Sequence, residues 1–278
     1  MPFVWWTLGE LPGRKFSGLG RFYRWLVRVL ESKSTALLGY SSVAMSYFDR
    51  MGYPLEKCFK AVNCVDTAAI MALPPMEEGK TRAIRSHLGV KAGKTVLFVG
   101  ALTAEKRIDR LLRAFSVVAS AVEESRLLIV GSGPSDASAR ELASELGLQG
   151  KVVFLGEVRE GVAQYFRIGS VFVLPGLGGL AISEAMCHGL PVVCVQGDGC
   201  EVDLVRDGET GFRIRASDDA SIISEMAVHL IRLLSYPEDS HQMGLAARRV
   251  IETEVNVETY VEGISRALRY AVAQGGRK

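Results

Sequence analysis

The chain of 278 residues contains five cysteines and no C-x-x-C pair, so no disulfide framework or clustered zinc site is written into it. Cys58, Cys64, Cys187, Cys194 and Cys200 are odd in number and read as buried free thiols in a reducing cytosol. The four histidines, His87, His188, His229 and His241, are scattered without ligand spacing, which argues against a protein metal site. No stretch approaches the roughly 18 apolar residues of a transmembrane helix. The N-terminus, MPFVWWTLGELPGRK, lacks the basic-then-apolar order of a signal peptide. Charge of one sign is also missing: 33 Lys and Arg stand against 31 Asp and Glu, a net +2 that creates no field for nucleic acid. Hydrophobic residues are plentiful at 48%, enough for full cores, and the length suggests roughly two domains of about 150 residues each.

Apolar runs and amphipathic stripes alternate along most of the chain. Lys94–Val99, Arg126–Val130, Lys151–Leu155, Ser170–Leu174 and Val192–Val195 read as buried parallel strands, and Gly211–Ile214 as a last short one. Between the first two, Ile108, Leu111, Leu112, Phe115 and Val118 recur at helical spacing. Helical patterns follow Gly131-Ser-Gly133-Pro134 and fall near 160–168, and three more at 218–235, 238–252 and 256–273 close the chain. Successive βα units with short loops predict an α/β, doubly wound parallel sheet, which binds ligands beyond the carboxyl ends of its strands.

The richest of those ends is GLGGLAISEAMCHGLPVV, residues 176–193. A strand stops at Pro175, passes through a glycine turn and opens into a helix carrying Glu184 in its first turns. Orphan N–H groups and the helix dipole make such a turn an anion site, and glycine lets a ligand approach the backbone. Phosphate suits it, and a carboxylate one turn deeper suits a ribose hydroxyl. The same pattern also describes any strand-to-helix junction of a parallel sheet.

Residues 1–75 read differently. A helix is predicted at Arg21–Glu31, a strand at Thr35–Tyr40, a helix at Ser42–Met51 and a strand at Lys57–Val62. A polar linker around Pro74-Pro75 follows. So few strands make part of a doubly wound domain, not a whole one.

The order of these segments resembles the retaining family 4 glycosyltransferases, whose GT-B fold sets two Rossmann-like domains face to face. TVLFVGALTAEKRIDRLLRAF resembles the first strand–loop–helix unit of their donor-binding domain, and LLIVGSGP with VVFLGEV the next two. FVLPGLGGLAISEAMCHGLPVV resembles the helix bearing the E-x7-E motif, and DGCEVDLVRDGETGF the segment after it. Val62-Asn63-Cys64-Val65-Asp66 resembles the N-G-V-D junction that ends the N-terminal domain. The resemblance implies a partial N-terminal, acceptor-side domain and linker over 1–75 and a complete Rossmann-like donor-binding domain over 76–255. A helix over 256–278 would pack back toward the N-terminal domain.

Site residues follow from the same resemblance. Lys106 matches a lysine on the donor diphosphate, and Glu184 the second glutamate of E-x7-E, which holds the ribose. Gly179, Leu180 and Ala181 match the backbone beside the diphosphate, Gly100 and Ala101 the first loop, and Gly131 and Gly133 the second. Glu157 and Val158 stand where the family lines its base pocket. The implied reaction moves a hexose from a UDP- or GDP-sugar, with retention, to an unidentified sugar or lipid-linked acceptor. The nucleotide sugar is a co-substrate, and no cofactor, metal or nucleic acid is implied. A lysine and a helix N-terminus would stabilise charge on the departing diphosphate.

Three features depart from the family pattern. Ala101 stands where the family has an arginine, and Gly176 where it has the first glutamate of E-x7-E. The chain also begins far into the N-terminal domain, so the acceptor loop and the N-domain catalytic histidine have no counterpart. These features suit the alternative reading of a non-catalytic or truncated nucleotide-sugar-binding module, or a chain completed by a partner that supplies the N-terminal half. Gly131-Ser-Gly133 with Glu157 could instead be a dinucleotide fingerprint, but Pro134 removes an N–H and no third glycine follows. Finally, Phe16–Arg28 places Arg21, Arg24 and Arg28 on one helical face beside Phe22, Trp25, Leu26 and Val29. Such a helix can lie peripherally on an anionic membrane, although the reading preferred here is a core helix with one solvated arginine stripe.

Overall fold

The structure, a computed structural model, describes residues 1–9 and 18–276. Phe16 and Ser17 of the basic amphipathic segment, and the last two residues of the unit expected over 256–278, lie outside that range. The N-terminal unit runs β1 (Val4–Thr7), α1 (Gly18–Lys33), β2 (Ala36–Gly39), α2 (Ser42–Arg50) and β3 (Cys58–Lys60). Its strands form a parallel sheet in the order β1-β2-β3. Two helices of the connection follow, α3 (Thr67–Met71) and α4 (Glu78–Leu88).

The larger unit continues with β4 (Thr95–Val99), α5 (Ile108–Ala121), β5 (Arg126–Val130), α6 (Asp136–Glu145), β6 (Val152–Gly156) and α7 (Ala163–Ile168). Then come β7 (Val171–Leu174), α8 (Leu180–Cys187), β8 (Val192–Val195), α9 (Cys200–Leu204) and β9 (Gly211–Ile214). Three long helices end the chain: α10 (Asp219–Ser235), α11 (Pro237–Thr253) and α12 (Val257–Gly275). The six strands form one parallel sheet in the order β6-β5-β4-β7-β8-β9. The order reverses between β4 and β7, and that switch point leaves a crevice at the carboxyl ends of both strands.

The sequence pattern explains the core. Strands buried on both faces carry apolar residues at every position, as in Val171–Leu174 and Val192–Val195. The predicted stripe of α5 is buried throughout, from Ile108 to Val118, and packs on the same core as β4 and β5. The helix α12 leaves this unit and crosses the N-terminal sheet, where Ala267 and Ala271 join Ala36, Leu38 and Ala61. Small residues permit the crossing: a Cβ on Gly263 would meet the Lys60 carbonyl oxygen at 2.3 Å.

Several elements differ from the sequence reading. Val4–Thr7 forms a strand because it pairs in parallel with Ala36–Gly39, a long-range partner that a four-residue run does not announce. α4 has no buried residue, so it left no apolar stripe to detect. Of α1, only Glu31 is buried, while Phe22, Tyr23 and Trp25 are exposed. This helix is therefore not a core helix among the described residues. It is anchored at its C-terminal end, where the Glu31 carboxylate accepts hydrogen bonds from the hydroxyls of Tyr47 (2.6 Å) and Tyr53 (3.1 Å).

Candidate functional site

Two loops meet in the crevice between β4 and β7. The first leaves β4 at Gly100 and forms a short 3-10 turn, Ala104–Lys106, before α5. The second is the glycine turn between Pro175 and α8. They are stitched by the Leu177 amide, which donates to the Glu105 carbonyl oxygen at 2.9 Å, and by the Lys106 ammonium, which donates back to the Leu177 carbonyl. Burial lowers the lysine's pKa, against the opposing pull of Asp198 and Glu105. A half-buried cation is thereby held over the backbone of the turn.

The helix α8 opens from this turn at Gly179, with no side chain capping it. Its first amides are the orphan donors that a helix N-terminus offers to an anion. Leu180 is exposed and Ala181 half-buried beside them. One turn further on, the Glu184 carboxylate is half-buried, and burial raises its pKa. No hydrogen bond or ion pair within the described chain satisfies it. A partly desolvated carboxylate without a protein partner suits a hydroxyl-bearing ligand.

The two substituted family positions have structural consequences. Ala101 is exposed and brings no charge to the crevice. Arg107 and Arg110 do not replace the missing arginine: Arg107 forms a fork with Asp109 at 3.0 and 2.9 Å and also pairs with Asp219. Arg110 reaches Asp219 at 2.6 Å. Both are committed to the ionic cluster where α5 meets α10. Gly176 cannot be a glutamate here, because a Cβ at that position would lie 2.2 Å from the Glu105 carbonyl oxygen.

The remaining predicted residues lie along the same edge. Gly131 and Gly133 are explained by close packing onto the first loop: a Cβ on Gly131 would meet the Gly100 oxygen at 1.9 Å, and one on Gly133 the Leu102 oxygen at 2.5 Å. Leu102 in turn donates its amide to Ser132 and accepts that of Ser135, at 2.9 and 2.8 Å. These glycines therefore serve loop-to-loop contact. Glu157, just past β6, is exposed and paired with Arg159 at 2.9 Å, while Val158 packs on the main core.

Asp198 was missed by the sequence reading. Its carboxylate flanks the start of α8: a Cβ on Gly179 would sit 3.0 and 3.1 Å from its two oxygens. It accepts the Cys200 amide at 3.1 Å, and its field reaches both Lys106 and Tyr40 of the N-terminal unit. The available signal was an acid between two glycines, Gly197-Asp198-Gly199, at the carboxyl end of β8. Glu201, two residues beyond that segment, is structural: fully buried, it closes the loop by accepting the amides of Gly197 (3.0 Å) and Gly199 (2.9 Å).

The chain also matches known proteins. Residues 80–250 match the family described as glycosyl transferases group 1. An uncharacterized glycosyltransferase of Haemophilus influenzae is 31% identical over 211 residues, covering 74% of this chain and 55% of that protein. The GDP-mannose-dependent alpha-(1-6)-phosphatidylinositol monomannoside mannosyltransferase of Mycolicibacterium smegmatis is 29% identical over 201 residues, covering 66% and 51%. The chain thus spans about half the length of the curated relatives it matches. The fold is that of Anabaena HepE, solved in complex with UDP: TM-score 0.78 at 20% identity, covering 96% of this chain and 72% of that one.

Proposed function

The chain belongs to the glycosyl transferases group 1 family, and from that premise we propose that its crevice binds a nucleoside diphosphate sugar, UDP before GDP, for hexosyl transfer with retention to a sugar or lipid-linked acceptor. In this reading the Lys106 ammonium and the first amides of α8 take the diphosphate, and Glu184 takes the ribose. The single observation that carries it is Glu184: a half-buried carboxylate, without a partner, one turn inside a helix whose open N-terminus faces a cation. The HepE complex is a UDP-bound structure of the same fold, which supports the choice of UDP.

Departure of the diphosphate concentrates negative charge on its oxygens, and preorganised donors lower the barrier to that departure. Lys106 and the helix terminus supply such donors from this chain, and the sugar migrates to the acceptor on the face that the diphosphate leaves. The second reading, a nucleotide-sugar-binding module without catalysis, is favoured by Ala101 and Gly176, which remove one arginine and one carboxylate from the expected set. In the first reading the acceptor approaches from the side of the N-terminal unit. The exposed aromatic residues of α1 beside its arginines fit peripheral contact with an anionic membrane.

Calorimetry with UDP, GDP and NADH tests the nucleotide. Saturable UDP binding that is lost in Lys106→Ala supports the reading, and binding of NADH alone ends it. Sugar-transfer assays with UDP- and GDP-sugars separate the enzyme from the silent module.

A further inference from the structure

At the other end of α8 from the glycine turn lies a cavity of about 490 Å³ with a chemistry of its own. His188, just past the helix, contributes an imidazole, α7 contributes Arg167 and α11 contributes Arg248, while Ile70, Met71 and Leu73 of the interunit connection form an apolar wall. No carboxylate among the described residues lines it. His188 stacks on Phe166 with ring centroids 5.3 Å apart, which fixes its plane, yet its Nε2 is shielded from solvent and has no hydrogen-bond partner. Arg167 spends one donor on the Leu73 carbonyl oxygen at 3.3 Å. Arg248 spends one on Glu252 at 3.0 Å, on the exposed flank of α11. A guanidinium carries five N–H donors, so most of the capacity of both remains unused.

Two half-buried arginines with mostly unspent donors border one concave, partly apolar space, an arrangement that suits an anion. We propose that this cavity is a second anion site, which takes a phosphorylated small molecule bearing an apolar flank. Arginine forks match phosphate oxygens in pairs. The apolar wall belongs to α3 and the residues after it, so an occupant would bridge the interunit connection and the helix that carries Glu184. The proposal is independent of what binds at the glycine turn.

The charge environment gives the site a signature. Burial, then the fields of Arg167 and Arg248, hold the His188 pKa down at about 4. Cys187 and Glu184 on the same helix, Cys64 before α3 and Glu252 beside Arg248 are further titratable groups nearby. A phosphate dianion would offset both guanidiniums and bring the imidazole pKa upward.

The test is NMR of the imidazoles in the whole chain, which has only four histidines, with His188→Gln assigning the resonance. Inorganic phosphate and phenyl phosphate are titrated to about 10 mM, tenfold above a Kd of about 1 mM. The expected result is movement of the His188 resonances with a raised pKa, tighter for phenyl phosphate, while His87, His229 and His241 stay still. Arg248→Gln, at a half-buried position on α11, should weaken the effect about tenfold with an unchanged thermal melt, and the double variant with Arg167→Gln should abolish it. Silent His188 resonances, or shifts unchanged in the double variant, would overturn the proposal. Phosphate bound at the glycine turn is scored separately by Lys106→Ala, which should leave the His188 response intact.

Discussion

The ammonium of Lys106 occupies the place where a side chain at position 178 would begin: a Cβ on Gly178 would lie 2.2 Å from Nζ. The backbone of Gly178 is also in a conformation, φ +134°, that other residues rarely adopt. Glycine is therefore favoured here by the turn, and a Cβ would also displace the ammonium, the mobile end of a flexible side chain. The lysine and the turn form one device, in which the loop after β4 arms the loop after β7.

Gly178→Ala should accordingly reproduce the binding defect of Lys106→Ala, with an added loss of stability of about 1–3 kcal/mol from backbone strain. Pyrophosphate calorimetry and thermal melts of both variants check this. Wild-type affinity in the alanine variant would show that the ammonium need not sit over the turn.

On the proposed reading, Glu184→Ala removes the ribose contact without touching the diphosphate donors. UDP affinity should fall one to two decades, the equivalent of about 1.5–3 kcal/mol for hydrogen bonds to a charged group, while pyrophosphate affinity holds. Equal losses for both ligands would show that the residue shapes the turn and does not read the nucleoside.

Without ligand, the same carboxylate imposes a pH dependence of known sign. Burial raises its folded pKa above the ordinary 4.5, so the folded state binds the proton more tightly than the unfolded chain. Its favourable contribution is full below the unfolded pKa and is lost as pH rises through the folded value. Glu184→Gln should match wild type in acid and become the more stable protein above that range. Urea titrations from pH 4 to 7 read the difference, in which all other groups cancel. A pH-independent difference would mean that the carboxylate is not desolvated.

Asp198 places a negative charge beside the proposed diphosphate site, where it favours Lys106 but would oppose a diphosphate. Asp198→Asn should bind UDP several-fold more tightly, with the gain shrinking as salt screens the repulsion. Weaker binding would instead identify Asp198 as a hydrogen-bond acceptor for the nucleotide sugar.

The legible parts of this molecule are those whose cause is local. Fully apolar runs such as Val192–Val195 and the stripe from Ile108 to Val118 announce their elements, because burial on both faces or on one stripe leaves a period in the chain. The glycine turn and Glu184 were legible for the same reason, since strand, turn and helix are contiguous. Contacts between distant segments were not. Val4–Thr7 becomes a strand only by pairing with residues more than thirty positions away. Gly176 looked like a lost glutamate, whereas the Glu105 carbonyl beneath it leaves no room for one. Asp198 belongs to the site through a neighbour nineteen residues earlier, a relation that no spacing rule encodes.

The contact between the units is itself such a relation, and it yields the last prediction. No side chain of its own unit caps α2: Ser41 precedes the helix without a capping bond, and its hydroxyl is buried and unpaired. The cap comes from the other unit. Asp203, with its side chain only 6% exposed, accepts the Ser42 amide at 2.7 Å and the Ser42 hydroxyl at 2.5 Å. Lys60 adds a third bond at 2.8 Å, but from a side chain that is 42% exposed. The two partners of Asp203 are therefore unequal. A buried carboxylate on helix amides is worth about 1–2 kcal/mol as a cap and dipole partner, whereas an ion pair to an exposed lysine contributes about 0–1 kcal/mol. Asp203→Ala should thus destabilise the protein by about 1–3 kcal/mol and increase hydrogen exchange first in α2. Lys60→Met should cost little. Denaturation curves of the two variants, read with exchange of the α2 amides, check the ranking. If Lys60→Met proved as costly as Asp203→Ala, the units would be joined chiefly by the ion pair, and salt rather than the helix terminus would govern their contact.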